Sequence, residues 1–562
     1  MGSVWGQLMS DQKTHENESE RIGRILREQK SMETDRSVFE QHWQEIAERI
    51  LPRSAEFKGT RQKGGKRTEK AIDATGALAL QKFGATIESV ITPRTQKWHT
   101  LSNERFADDE EVQRYFQEVR DILFRLRYAP WANFASQSHE HYISSGAFGT
   151  GCTFVDNVIG KGPRYCTYHL REIYFTENFQ GMIDVVHRKY CMTARQAIQQ
   201  FGEDALPVMV KTAAKSNPAQ TFNFLHRVEP NDKRDMSRQD KEGMPFRSVH
   251  ICLEGSKIVQ EGGYWSQPYA ISRYYTAPGE VYGRSPAMVV LPDIKLLNEI
   301  NRAIIEGAQM AVRPPMLLPE DGILQPFKMM PGALNFGGMN RDGKPLALPL
   351  NTATDFSVAM TLAEQKRQTI NDGFFITLFQ ILVDNPQMTA TEAMLRAQEK
   401  GQLLAPTAGR IQAEFLGTLI LREIDIAYQN GLLPEPPEQL KEIGGEFDIE
   451  YTSPLVRLQM SEEASGIMTV INAAGTIGQF DQGIARSLNG DDALRFIAKA
   501  SGAPQQIVKT AEEISEQDAA DQRQLQLQQL LAAAPVAATA AKDFAQANQI
   551  AQTPAPSPVL QG

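Results

Sequence analysis

Residues 281–312, VYGRSPAMVVLPDIKLLNEINRAIIEGAQMAV, constrain this chain more than any other stretch. Ser285 followed by Pro286 reads as a helix start. The hydroxyl accepts from a free N–H of the first turn, and proline sits where its missing N–H costs nothing. From there the spacing predicts one long helix with two apolar faces. Ile294, Leu297, Ile304 and Ala308 fall on one; Leu296, Ile300, Ala303, Gly307 and Met310 fall on the other. Such a helix must be covered twice, by its own chain or by a neighbouring copy. Its small residues, Ala303, Gly307, Ala308 and Ala311, predict close helix approach.

Arg313-Pro314-Pro315 ends that run. Residues 312–354 are too rich in proline and glycine for a helix and predict short strands with turns. Met316, Leu317, Leu318, Phe327, Met329 and Met330 lie in this segment, which is too short for a core of its own, so packing between subunits is expected. A second helical run is predicted over 355–382, capped by Thr354 or Asp355. Its stripe is Phe356, Met360, Ala363, Ile370, Phe374, Thr377 and Ile381. At ~1.5 Å per residue, a run of about 26 residues spans roughly 40 Å. Two such struts joined by a compact excursion form a rod with a knob at one end.

The remaining chain divides by period. Residues 18–51 read as a helix, followed by a basic loop with Arg53, Lys58, Arg61, Lys63, Lys66, Arg67 and Lys70 around Gly64-Gly65. Its glycine and lysine spacing does not match a phosphate-binding loop. Helices are predicted over 69–91, over Asp108–Leu126 with acids at the positive end, and from near Trp131. QKWHTLS reads as a strand. From Gly146 to 280 short β-branched and aromatic runs alternate with Gly, Pro or Asn, and a helical insert begins at Thr193, so this part is an α+β module. Gly149-x-Gly151 is an isolated glycine pair without a phosphate-site helix.

Val383-Asp384-Asn385-Pro386-Gln387-Met388 joins two helices. The next helix opens on a capping box, Thr389-Ala-Thr-Glu392, is expected to kink near Pro406 and Gly409, and stops at Asn430-Gly431. FDIEYT, 447–452, predicts a strand; helices fill 461–515. The Ala/Gln-rich tail 516–562 is helical when packed against copies of itself and disordered otherwise.

Composition removes several classes. At 562 residues, with 41% apolar and 23% charged residues, the chain is globular and exceeds one core. It lacks an 18-residue apolar run, so no membrane partner is expected. A net charge of −9 argues against gripping nucleic acid by bulk charge. Cys152, Cys166, Cys191 and Cys252 lie far apart and read as reduced core residues. His139 and His141, two apart on a helix, face different directions and make a poor metal pair. Neither HExxH, GxSxG nor a phosphate loop occurs, so catalytic, cofactor and metal sites are not expected and an assembly role is favoured over an enzyme.

The order of these elements resembles the portal proteins of tailed bacteriophages, in particular the head-to-tail connecting proteins of short-tailed, T7-like phages. The blocks that carry the resemblance are LPRSAEFKG with KGGKRTEKAIDATG, ITPRTQKWHTL, GEVYGRSPAMVVLPDIKLLNEI, MTATEAMLRAQEKGQLLAPTAGRIQAEFLGTLILREIDIAYQNGLLPEPP and IEYTSPLVRLQ, which span roughly 50–460. Ala405 departs from the glycine expected of the family, and Gly417-Thr418 from a proline-bearing step.

The resemblance implies an α+β portal fold assembled as a ring, usually of twelve copies, at one vertex of the capsid. It makes 1–285 the N-terminal helices and α/β wing, 286–311 and 355–382 the stem, and 312–354 a small α/β clip. Residues 383–388 become the channel loop, 389–460 the kinked wing helix and return strand, 461–515 a helical crown, and 516–562 a barrel or disordered tail. Double-stranded DNA passes through the ring during packaging and ejection. The implied partners are the terminase packaging ATPase, tail adaptor proteins, and the major capsid and scaffolding proteins, with assembly in the host cytoplasm. Asp384, Asn385, Pro386 and Gln387 would face the channel as its most mobile part. Two roles are open to Lys366 and Arg367 on the second strut: touching phosphates, or pairing with acids on the adjacent subunit. The rival classes are a nucleic-acid-processing enzyme, which needs clustered carboxylates, and a scaffolding or tail adaptor protein, which lacks paired struts.

Overall fold

The computed structural model describes residues 18–59, 64–65, 67–106, 109–313, 315–317, 334, 339, 342, 344–346, 348–349, 356–376, 406–442, 447–452 and 454–477, and the isolated residues 490, 493–494, 496–497 and 523. The chain divides into two units, Met1–Leu458 and Gln459–Gly562.

The first unit opens with helix α1 (Glu18–Ile50), which serves two cores. Its first turns lay Ile22 and Ile25 on Leu225, Val249 and Ile251 of a sheet. Its last turns bury Trp43, Ile46 and Ile50 among helices α2 (Thr75–Ile91), α3 (Glu110–Arg127) and α4 (Phe134–Phe148). Trp43 finds a partner for its indole N–H in the Phe148 carbonyl at 3.0 Å, as a buried tryptophan needs. α3 starts where Asp109 accepts from the Val112 N–H.

Strand β1 (His99–Ser102) pairs antiparallel with β12 (Asp448–Tyr451), so segments far apart in sequence meet. Between them, β2 (Thr150–Val158) is flanked by β3 (Gly162–Thr167) and β9 (Tyr269–Arg273). A five-stranded antiparallel sheet follows the order β4 (Ile173–Glu177), β5 (Ile183–Thr193), β6 (Thr221–Pro230), β7 (Phe246–Cys252), β8 (Lys257–Tyr264). Period two puts Phe224 and Leu225 on opposite faces. Phe224 meets α5 (Ala194–Phe201) and α6 (Val208–Ser216); Leu225 meets α1.

Several expectations are corrected here. β4 fits the expected β-branched and aromatic runs, whereas β8 carries Lys257, Glu261 and two glycines in its eight residues. The insert at Thr193, whose capping box with Gln196 is present, is two helices, because Gly202 (φ 78°) and Pro207 interrupt it. α2 begins at Thr75, not 69, where the Asp73 carboxylate takes the Thr75 N–H. Gly149 (φ 79°) marks a close backbone approach, since a Cβ there would lie 2.3 Å from the Gly283 carbonyl oxygen. Cys152 and Cys252 are buried as expected, but Cys191 faces solvent.

The first long helix, α7 (Pro286–Val312), is capped by Ser285, which accepts from the Met288 N–H and donates to the Ala147 carbonyl. β10 (Met316–Leu317) and β11 (Leu348–Pro349) pair beyond it. α8 (Ser357–Gly373) ends inside the expected run 355–382, whose residues 377–382 lie outside the described residues. Phe356 holds its N-cap position without a side-chain bond, and Thr354 and Asp355 lie outside the described residues. At its end Phe374 is buried, and Phe375 adopts φ 59°, a costly left-handed conformation for a bulky residue.

Past the undescribed stretch 377–405, a helical turn at 406–410 runs into a π-helix, Ile411–Gly417, and then into α9 (Thr418–Gln429). The expected irregularity near Pro406 and Gly409 thus appears just after them, as a wide turn. Helix α9 stops at Asn430, with Gly431 at φ 64°. A short α10 (Glu438–Glu442) precedes β12, and α11 (Pro454–Ile477) follows it. No helix among the described residues is long and apolar enough to cross a membrane.

Candidate functional site

The two long helices form an antiparallel pair fitted together by glycine. A Cβ on Gly307 would sit 2.7 Å from the Phe356 ring, and one on Gly373 would sit 2.2 Å from Val290. Each glycine therefore lets a large side chain of the other helix reach the backbone. Ile294 and Leu297 turn into the main core, and Ala363 and Ile370 of α8 are buried with them. The close helix approach expected of Gly307 occurs within this chain, so Gly307, expected on the face of Leu296 and Met310, turns toward α8 instead.

The opposite face of α7 has no cover among the described residues. Val289 is 71% exposed, Leu296 43% and Met310 51%, and Ala303 is also exposed. These four recur every seven residues, so they form one stripe along the helix. Val358, Met360 and Leu362 of α8 are exposed as well.

Lys366 and Arg367 spend their charge inside the chain. Lys366 Nζ lies 2.8 Å from Asp293 Oδ1 of α7. Arg367 Nη2 lies 3.1 Å from Asp73 Oδ2, and its Nη1 lies 3.1 Å from Glu364. These acidic partners belong to this chain. Glu364, with burial opposing and Asp73 assisting, holds the Arg367 pKa above its ordinary value. Burial pushes the Asp73 carboxyl up, but hydrogen bonds from Thr75 and Arg367 outweigh it and hold the pKa low.

Asp73 and Asn298 make a junction the sequence did not announce. Asn298 Oδ1 accepts from the backbone N–H groups of Ile72 and Asp73 at 2.8 and 2.9 Å, and Asn301 Nδ2 donates to Asp73 at 2.8 Å. The end of the basic loop is thereby tied to both long helices. The available signal was Asn298, a buried amide on an otherwise apolar face. Other basic-loop charges are also paired: Arg53 with Glu140, Arg67 with Glu56 and Lys70 with Glu48.

Of the expected docking residues, Met316 and Leu317 lie in β10, and Leu317 is exposed. Leu318, Phe327, Met329 and Met330 lie outside the described residues, as do Asp384, Asn385, Pro386 and Gln387 and the capping box at 389–392. His139 and His141 diverge. His139 meets Glu88, whereas His141 is buried on the Phe415 ring, between Thr153 and Ser272.

A family model described as bacteriophage head to tail connecting protein matches residues 23–508. The chain is 27% identical over 534 residues to the portal protein of Salmonella phage epsilon15, covering 93% of this chain and 95% of that one. It is 26% identical over 454 residues to the probable portal protein of Bordetella phage BPP-1, covering 79% and 81%. Among solved structures it is similar to the neck of a native GTA particle computed with C12 symmetry, at TM-score 0.36 and 12% identity, covering 76% of this chain and 90% of that one. A match that spans the five-stranded sheet, both long helices and α9 leaves one assignment: this chain belongs to the bacteriophage head-to-tail connecting protein family.

Proposed function

We propose that the chain is the subunit of a portal: a closed ring, of the twelve copies the resemblance implies, through which double-stranded DNA is packaged and ejected. The observation that carries this reading is the uncovered stripe Val289, Leu296, Ala303 and Met310 on α7. One apolar stripe of this length needs a neighbour, and cyclic symmetry supplies an identical one to each subunit. Residues 286–311 and 355–382 then form the stem, residues 312–354 the clip that docks the packaging ATPase and later the tail adaptor, and 383–388 the loop facing the channel. The role is structural, and a separate ATPase supplies the energy of packaging. The ring sits at the unique vertex of the virion, having been assembled in the host cytoplasm with capsid and scaffolding proteins.

An acidic chain suits such a channel, because passing DNA must not be held by counterion release. Native mass spectrometry of the purified chain and of Leu296→Glu tests the reading. It expects closed rings from the first and monomers with an unchanged fold from the second. Rings of equal yield from Leu296→Glu would remove the stripe from the assembly.

A further inference from the structure

The π-helix at Ile411–Gly417 lies between two fixed pieces of one helix. Downstream, α9 is locked in the core by Glu423 against Arg127, and by Arg422, whose Nε donates to the Val155 carbonyl of β2 at 3.4 Å. Upstream, the turn 406–410 buries Thr407 and Ala408. A π-turn bonds five residues along instead of four, so it holds a residue more than an α-helix in the same place.

Four interactions hold this wide turn open. The Tyr451 hydroxyl of β12 donates to the Gln412 carbonyl at 2.8 Å. The Glu414 carboxylate accepts from the Arg273 backbone N–H at 2.9 Å and from its Nη2 at 2.8 Å. Phe415 stacks on His141 with ring centres 3.7 Å apart. Thr418 Oγ1 donates to the Glu414 carbonyl at 3.0 Å. All four come from the surroundings or from side chains, and an irregular backbone persists when its surroundings over-determine it.

We propose that residues 411–417 are a register switch: once Tyr451 lets go of Gln412, the segment rewinds as α-helix and residues 406–410 slide by one position relative to α9. The slide is about 1.5 Å along the axis and about 100° around it. Ala408 then takes the place of Thr407, and Gly409 takes the place of Ala408. Each exchange is small for small, and a Cβ on Gly409 has nothing within 4 Å. Thr407 turns out of its place beside Tyr274 toward solvent. The element that sets the switch is β12: Tyr451 is its last residue, so a displacement of the strand is read as a rotation of the helix.

The test is the rate at which a maleimide modifies Thr407→Cys in the full-length chain, read by peptide mass spectrometry so that Cys191 is counted separately. Adding Tyr451→Phe is expected to raise that rate at least fivefold. Deleting Ala413 removes the spare residue and leaves both flanks in register; it is expected to lower the rate at least fivefold. A smaller change in either overturns the switch, because exposure by local unfolding does not depend on a spare residue. Should a variant fail to fold, hydrogen exchange on the unaltered chain decides. Amides 411–417 exchanging at least fivefold faster than 419–426 support the switch, and a smaller difference overturns it.

Discussion

Arg127 and Glu423 lie 296 residues apart in the chain and form a fully buried ion pair, Nε to Oε1 at 3.0 Å. The guanidinium is boxed by Trp98, with its carbon 4.4 Å from the ring centre, and by Phe124 at 4.8 Å. Tyr165 donates to the same carboxylate, and His99 Nε2 lies 2.8 Å from Arg127 Nη2. Burial drives the Arg127 pKa down, and Glu423 more than restores it. The pair is what fastens α9 to α3.

Removing one partner strands a buried charge. Glu423→Ala is expected to cost ~3–5 kcal/mol, whereas Arg127→Met with Glu423→Leu costs less than either single change. Urea unfolding followed by circular dichroism measures both, and a loss below about 1 kcal/mol for Glu423→Ala contradicts this reading.

Acid is expected to destabilise the chain through histidines buried neutral. Burial lowers the pKa of His141, His187 and His250 to about 3 and that of His99 and His226 well below the ordinary value. His226 and His250 also stack, with ring centres 3.9 Å apart. In each case the unfolded chain binds the proton first. The stabilisation is therefore complete above about pH 6.5 and is lost as pH falls below it, for His141, His187 and His250 down to about 3, by ~1.4 kcal/mol per pH unit for each. Urea midpoints at pH 7.5 and pH 5 check this; equal midpoints contradict it.

Gly307→Leu is expected to force Phe356 out of its seat, because even a Cβ there comes within 2.7 Å of the ring. The overpacking costs ~1–3 kcal/mol per subunit. Thermal melting and ring yield by native mass spectrometry measure it, and no change in either contradicts the fit between α7 and α8.

Lys366→Gln with Arg367→Gln is expected to lower stability by about 1 kcal/mol or less per pair, since these ion pairs are only partly buried. DNA retention is expected to match the parent at two salt concentrations. A salt-dependent loss would show that these residues also meet phosphate.

What could be read from the chain was local. Ser285-Pro286 names its helix start because cap and first turn are neighbours, and the β-branched and aromatic runs between Gly, Pro or Asn from Gly146 to 280 name strands because composition and turn residues are local. The partners of Lys366 and Arg367 could not be read, since Asp293 and Asp73 lie 73 and 294 residues away. Asn298 and Glu423 were missed for the same reason. The π-helix was anticipated only as a kink, because its cause is Tyr451, Arg273 and His141 from three other elements.

Electron microscopy of the purified, full-length chain tests the portal reading most directly. The account predicts closed rings of identical subunits around a central hole wide enough for a DNA duplex. Monomers or compact dimers without a hole, at concentrations where the fold is intact, would contradict it.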